Sequence, residues 1–316
     1  MDRSNDTLDS LQSVQNLQSK SNEMRVLDNV ASVDTSFSGV KDLSTNLGDV
    51  DVTLPATTAS SLDLSSISGK SMAVTLPFAS EKVKASEVSD GIVEYDNGNG
   101  SSTVPILKDD GSVQITTIIE GPSSPTSYSY DFDLASGDRL EKQENGSIII
   151  FDKTGKFAGG IAPAWATDAN GEPVSTSYQI EGNTVTQIVE HGPDSAYPVV
   201  ADPWLGIDLI SRFVWKTTNT ISVHVTPWMG TVTSGVAGSA GWDELKSKVR
   251  ANSNSRFNEL LRTQTYQQQW SCHATGKVAI WAGQVTGMDK NSTWDLEGYR
   301  SVNGNFASQV WTRCNW

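Results

Sequence analysis

Cysteine and histidine are scarce in this chain: two cysteines, Cys272 and Cys314, and three histidines among 316 residues. No Cys-x2-Cys pair or Cys/His cluster surrounds them, which excludes the usual zinc spacing. Asp131 opens no calcium loop either, because Ser136 and Lys142 stand where a Gly and a Glu are needed. No run of eighteen apolar residues occurs, so no transmembrane helix is expected. The sequence has no Gly-x-Ser-x-Gly elbow, no phosphate-cradling glycine loop and no nucleic-acid motif, and no cofactor is expected. Aromatic residues are nearly missing from residues 1–69, where Phe37 stands alone.

The two cysteines have a simple reading as a Cys272–Cys314 disulfide. It would close a loop of about forty residues, worth roughly 4 kcal/mol in the chain-entropy picture. A catalytic Cys272 beside His273 and two unrelated thiols are the alternatives. A disulfide places folding in an oxidising compartment outside the cytoplasm. The start, Met1-Asp2-Arg3-Ser4, lacks the basic and apolar parts of a signal peptide. A secreted reading therefore expects a leader already removed, a start codon placed elsewhere, or another export route.

Charge is spread unevenly. Residues 1–70 carry a net −5, residues 71–203 a net −13 and residues 204–316 a net +4. Nine of the ten tryptophans follow residue 203. An acidic front thus precedes a basic, Trp-rich tail, which suits either two separate domains or masking within the chain. The +4 tail is too weakly basic to argue for nucleic acid.

Residues 1–69 are rich in Ser, Thr, Asp and Asn and read as a disordered leader and linker. Leu8, Leu11, Val14 and Leu17 have helical spacing and predict a transient helix there. Residues 70–203 read as an all-β carrier module. Alternation at Met72, Val74 and Leu76, at Val113, Ile115, Thr117 and Ile119, and at Tyr128, Tyr130 and Phe132 predicts short strands between Asn-Gly and Asp-Gly turns. An antiparallel β-sandwich or curled sheet is expected, with no catalytic constellation. His191, beside Gly192-Pro193, is expected in a surface turn.

Residues 71–203 also resemble a β module of secreted actinobacterial proteins. The resemblance rests on Ile118-Ile119-Glu120-Gly121, Tyr128-Ser129-Tyr130, Ala162-Pro163-Ala164-Trp165-Ala166 and Tyr197-Pro198-Val199-Val200-Ala201-Asp202-Pro203. It implies a carrier module that ends at the heptad, with different tails behind it in different members. By composition the same heptad reads as a last strand and linker, or as a processing site around Tyr197, Pro198, Asp202 and Pro203 that frees the tail.

Residues 204–316 read as a small α+β domain. Phe213 and Trp215, then Ile221, Val223 and Val225, predict two strands around a turn at residues 216–219. Gly230 to Gly241 reads as a loop. Trp242, Leu245 and Val249 predict a helix, with Asp243 and Glu244 at its positive end. Val278, Ile280 and Trp281 predict a strand or a short helix.

The order Trp215, Ser222-x-x-Val225-x-Pro227, Gly241-Trp242-x-Glu244-Leu245, Gln269-x-x-Cys272-His273, Trp294-x-Leu296-Glu297-x-x-Arg300 and Cys314-Asn315 resembles the bacterial domain of unknown function 2599. One departure follows Glu297, where Gly298-Tyr299-Arg300-Ser301 stands in place of the expected Trp-Arg-Pro. The resemblance implies a secreted, disulfide-closed domain and no assigned reaction.

His273 and Glu297 are the only acid–base pair suggested, with Arg300 as an anion holder; beside a disulfide the same residues also read as a buried ion pair and a packed imidazole. Trp242, Trp270, Trp294 and Trp311 are expected in the core or half-buried, and are candidate binding aromatics for sugars or a membrane interface. Three functions are compatible with these residues. The tail binds an anionic cell-wall polymer, a membrane surface or a protein partner without catalysis. Alternatively, the chain is a toxin or antimicrobial effector masked by its acidic front. The third reading is a hydrolase using His273 and Glu297.

Overall fold

The computed structural model describes residues 3–17, 25–37, 41–281, 293–303 and 314. The chain divides into two units, Met1–Ile207 and Asp208–Trp316.

In the first unit a helix, α1 (Arg3–Leu17), precedes a series of hairpins. β1 (Leu43–Leu47) and β2 (Val50–Leu54) turn at Gly48, whose φ of +71° suits a two-residue hairpin loop. β3 (Ser61–Ser66) and β4 (Ser71–Thr75) extend that sheet. β5 (Ala85–Ser89), β6 (Ile92–Asp96), β7 (Ser101–Leu107) and β8 (Val113–Ile119) form a meander in a second sheet. β9 (Ser127–Phe132) returns to the first sheet beside β4. β10 (Arg139–Lys142), β11 (Ile148–Phe151) and β12 (Phe157–Ile161) belong to the second. After the short β13 (Ala166–Thr167), the hairpin β14 (Thr176–Glu181) and β15 (Thr184–Val189) completes the first sheet. β16 (Val199–Ala201) and β17 (Trp204–Gly206) finish the second. The orders are β1-β2-β3-β4-β9-β15-β14 and β10-β11-β12-β17-β8-β7-β6-β5, with β16 beside β8 and β13.

Side chains from both sheets form one buried cluster that includes Val52, Leu54, Leu64, Tyr130, Val113, Ile115, Ile119 and Leu205. Each aliphatic residue fully buried there contributes about 1.5–3 kcal/mol. β9 and β15 alternate, as half-buried strands do. β7 and β8 are buried at every position. The reason is a second layer: Leu11 and Val14 of α1 join Val104, Ile106, Ile118 and Val200 in a separate apolar cluster. Glu94 is buried with them and accepts hydrogen bonds from the Thr7 hydroxyl (2.8 Å) and the Ser102 hydroxyl (2.6 Å).

Two boundaries differ from the sequence expectation. Among the described residues, 1–69 are not a leader and linker: they supply α1 and β1–β3. Val50, Val52, Leu54, Leu62 and Leu64 each carry a polar neighbour on the opposite face, so a strand pattern passes for a polar run. The unit boundary lies at Ile207/Asp208 and not at Pro203, because β17 is still part of the second sheet.

The second unit is α+β. β18 (Ile210–Trp215), β19 (Thr220–Val225) and β20 (Trp294–Glu297) form an antiparallel sheet in that order. A 3-10 turn, Pro227–Thr231, leads to α2 (Ser234–Asn252), α3 (Asn254–Leu261) and α4 (Thr265–Trp281). Thr233 caps α2 and Ser253 caps α3 through their side-chain oxygens. The stretch expected as a loop, Gly230 to Gly241, is helical from Ser234 onward. Small residues there admit a close neighbour: a β-carbon on Gly241 would lie 2.4 Å from Trp270 Cζ2. The residues expected as a strand or short helix near Val278 belong to α4.

Cys272 of α4 and Cys314 form a disulfide with Cα atoms 5.5 Å apart, closing a separation of 42 residues. The protein is therefore a two-domain chain: an antiparallel β-sandwich-like domain followed by a small, disulfide-closed α+β domain.

Candidate functional site

The aromatic candidates on α2, α4 and β20 are core residues. Trp242, Trp270 and Trp294 are 6%, 0% and 4% exposed. Their rings form a row, with centroids 6.5 Å apart for Trp242 and Trp270 and 4.8 Å for Trp270 and Trp294. The Trp270 indole N–H donates to the Gly238 carbonyl at 2.9 Å. Trp311 lies outside the described residues.

His273 ends this row. Its ring stacks on Trp294 at 5.4 Å with 14° between planes. Burial pushes its pKa down to about 4, against the opposing pull of Asp295. Its Nε2 is buried and has no hydrogen-bond partner among the described residues. The imidazole is neutral at pH 7 and held by packing.

Glu297 does not share a site with it. β20 alternates, so Trp294 and Leu296 face the core while Asp295 and Glu297 face the other way. His273 lies on the Trp294 face. The Glu297 carboxylate pairs with Arg300 and accepts the Tyr299 hydroxyl. The three residues proposed for acid–base or anion chemistry therefore split into a packed imidazole and a separate ion pair.

Sequence reasoning missed the main buried charge network of this unit. Glu244 accepts the backbone N–H groups of Leu209 (3.0 Å) and Ile210 (2.9 Å). Lys248, one turn on, reaches Asp208 at 3.0 Å and Glu244 at 3.9 Å. All three side chains are 3–5% exposed. The i,i+4 spacing of Glu244 and Lys248 was the available signal. The network fastens the start of β18 to α2.

One open groove, of about 330 Å³, lies between α2 and the α3–α4 turn. Trp242 and Leu260 line its base, both buried. Asp243 and Lys246, paired at 2.7 Å, line one side. Gln264 and Gln267 line the other, both exposed.

In the first unit, the heptad expected as a linker or processing site is half-buried at Tyr197 and Pro198 and buried from Val199 to Pro203. The Tyr197–Pro198 peptide is cis. Val199, Val200 and Ala201 are fully buried and pair with Ile119, Ile118 and Thr117 of β8. Asp202 is 1% exposed, and burial pushes its carboxyl up to about 7 although Gln114 donates to it at 2.9 Å. The Tyr178 hydroxyl donates to the Asp202 carbonyl at 3.2 Å. Burial likewise pushes nearby Lys108 down to about 8, and its Nζ donates to the carbonyls of Val26 (2.6 Å) and Asp28 (3.0 Å). His191 is not a surface turn residue: it is 9% exposed and bonds to the Tyr197 hydroxyl and the Pro125 carbonyl. A protease needs an extended, accessible segment, and Val199–Ala201 is a buried strand followed by buried Asp202 and Pro203.

Among the described residues, no three His, Cys, Asp or Glu side chains gather as metal ligands, and no helix is long and apolar enough to cross a membrane. Comparison with protein-family models, with curated proteins and with solved structures finds no match.

Proposed function

We propose that the chain is a secreted bacterial protein whose second unit is a non-enzymatic binding domain acting at the cell envelope. The observation that carries this reading is the contrast between the two candidate places. His273, Glu297 and Arg300 are spent on packing and on an ion pair, whereas the groove at Trp242 is open and lined by polar groups. The disulfide suits an oxidising compartment. The net +4 of residues 204–316 draws the unit toward anionic wall polymers or lipid head groups. Release of the tail by cleavage at residues 197–203 is disfavoured, because the middle of that run, Val199–Ala201, is the buried strand β16.

The test incubates the oxidised full chain with purified cell walls and with anionic vesicles. The expected result is retention on walls without release of soluble wall fragments, unchanged in Glu297→Gln. Fragment release that Glu297→Gln abolishes would overturn the reading in favour of a hydrolase.

A further inference from the structure

The groove between α2 and the α3–α4 turn carries more information than its existence. Its volume of about 330 Å³ sits at the small end of the ~300–1,000 Å³ range of ligand pockets. Trp242 is only 6% exposed, yet its indole N–H makes no hydrogen bond among the described residues. That N–H is also not one of the sealed, partnerless polar atoms of the fold, so solvent reaches it. The carboxamides of Gln264 and Gln267 make no side-chain hydrogen bond among the described residues either. Each offers two N–H donors and a carbonyl acceptor. Leu261, 51% exposed, adds apolar surface.

Charge narrows the ligand. Asp243 and Lys246 neutralise one another across 2.7 Å, so the groove holds no net charge for an anion or a cation. An uncharged ligand with both hydrogen-bonding and apolar parts fits this lining. A pyranose has such parts: a C–H face and a rim of hydroxyls. An acetamido substituent adds an amide that pairs with a carboxamide donor and acceptor, and a methyl group for Leu261. We infer that the groove is a subsite for one N-acetylated hexosamine unit of a wall polysaccharide. The inference rests on the envelope reading and names its ligand chemistry. Long-range attraction would come from the unit's positive charge, and recognition from this neutral groove.

The test titrates N,N′-diacetylchitobiose into the ¹⁵N-labelled, oxidised full chain and follows the tryptophan indole N–H signals by NMR. Trp242→Phe assigns the signal of interest. The Trp242 signal should shift on titration. The double variant Gln264→Ala/Gln267→Ala, altered only at exposed positions, should weaken binding about tenfold or more. Cellobiose, which lacks acetamido groups, should bind more weakly. An unmoved Trp242 signal, binding that survives the double variant, or equal binding of cellobiose would overturn the inference. Wall retention is measured in parallel. Disaccharide binding without wall retention leaves the groove assignment standing and removes the envelope reading. Wall retention that persists without disaccharide binding removes the groove assignment alone.

Discussion

The side-chain amide of Gln269 pairs in both directions with the backbone of Glu297. Its Oε1 accepts the Glu297 N–H at 3.0 Å, and its Nε2 donates to the Glu297 carbonyl at 3.1 Å. A helix side chain thus stands where a further strand would pair with β20. The same turn of α4 carries Cys272 and His273, so the contact holds the disulfide helix against the sheet.

Gln269→Ala removes both bonds and leaves two backbone groups without partners. The expected loss is about 2–3 kcal/mol in the second unit. Urea unfolding followed by tryptophan fluorescence measures it, since most tryptophans lie in that unit. An unchanged midpoint would mean that water replaces the amide without cost.

Reduction of Cys272–Cys314 should lower the stability of the second unit by roughly 4 kcal/mol, the value for a loop of this length. A thiol count should give none before reduction and two after. The first unit's transition, read from its β-sheet signal, should stay where it was.

The two units should respond to acid in opposite senses. His273 has a folded pKa of about 4, below the ~6.5 of an unfolded chain, so the unfolded state binds the proton first. The second unit is therefore fully stable above pH ~6.5 and weakens as pH falls toward 4. Asp202 has a folded pKa of about 7, above the ~3.9 of an unfolded chain, so the folded state binds the proton first. Its contribution is greatest at low pH and is lost as pH rises toward 7. Thermal melts between pH 4 and 8 should show both trends. His273→Phe should flatten the first and Asp202→Asn the second.

Leu11→Ala tests whether the N-terminal helix belongs to the fold. Leu11 is fully buried against the second sheet, so truncation should cost about 2–5 kcal/mol. A leader without tertiary contacts would give no change in the first unit's unfolding midpoint.

Period-two alternation made β4, β8 and β9 legible before any coordinates, as did Phe213–Trp215 and Ile221–Val225 in the tail. β1–β3 were not, because Ser, Thr and Asp on their outer face give the composition of a linker. The start of α2 was hidden by its glycines, of which Gly241 makes room for Trp270 rather than for a loop. Asp202 was placed by sequence in a linker or processing region, and nothing local announces a buried carboxyl beside Gln114. The tryptophans read either as core or as a binding face, and Trp242, Trp270 and Trp294 are buried. A count of aromatics says how much surface a domain has to bury, not which indole keeps a free N–H.

Strand β17 lies between β12 and β8, in the interior of its sheet, although it comprises the last three strand residues of the first unit. On a ribosome, β5 to β12 would emerge with that slot vacant, and the sheet could not close until Trp204–Gly206 had cleared the exit tunnel. The unit thus has a built-in delay, and premature termination before residue 204 would leave the Gly160–Ile161 edge of β12 and the Val113–Gln114 end of β8 without a partner strand. Such edges are templates for aggregation.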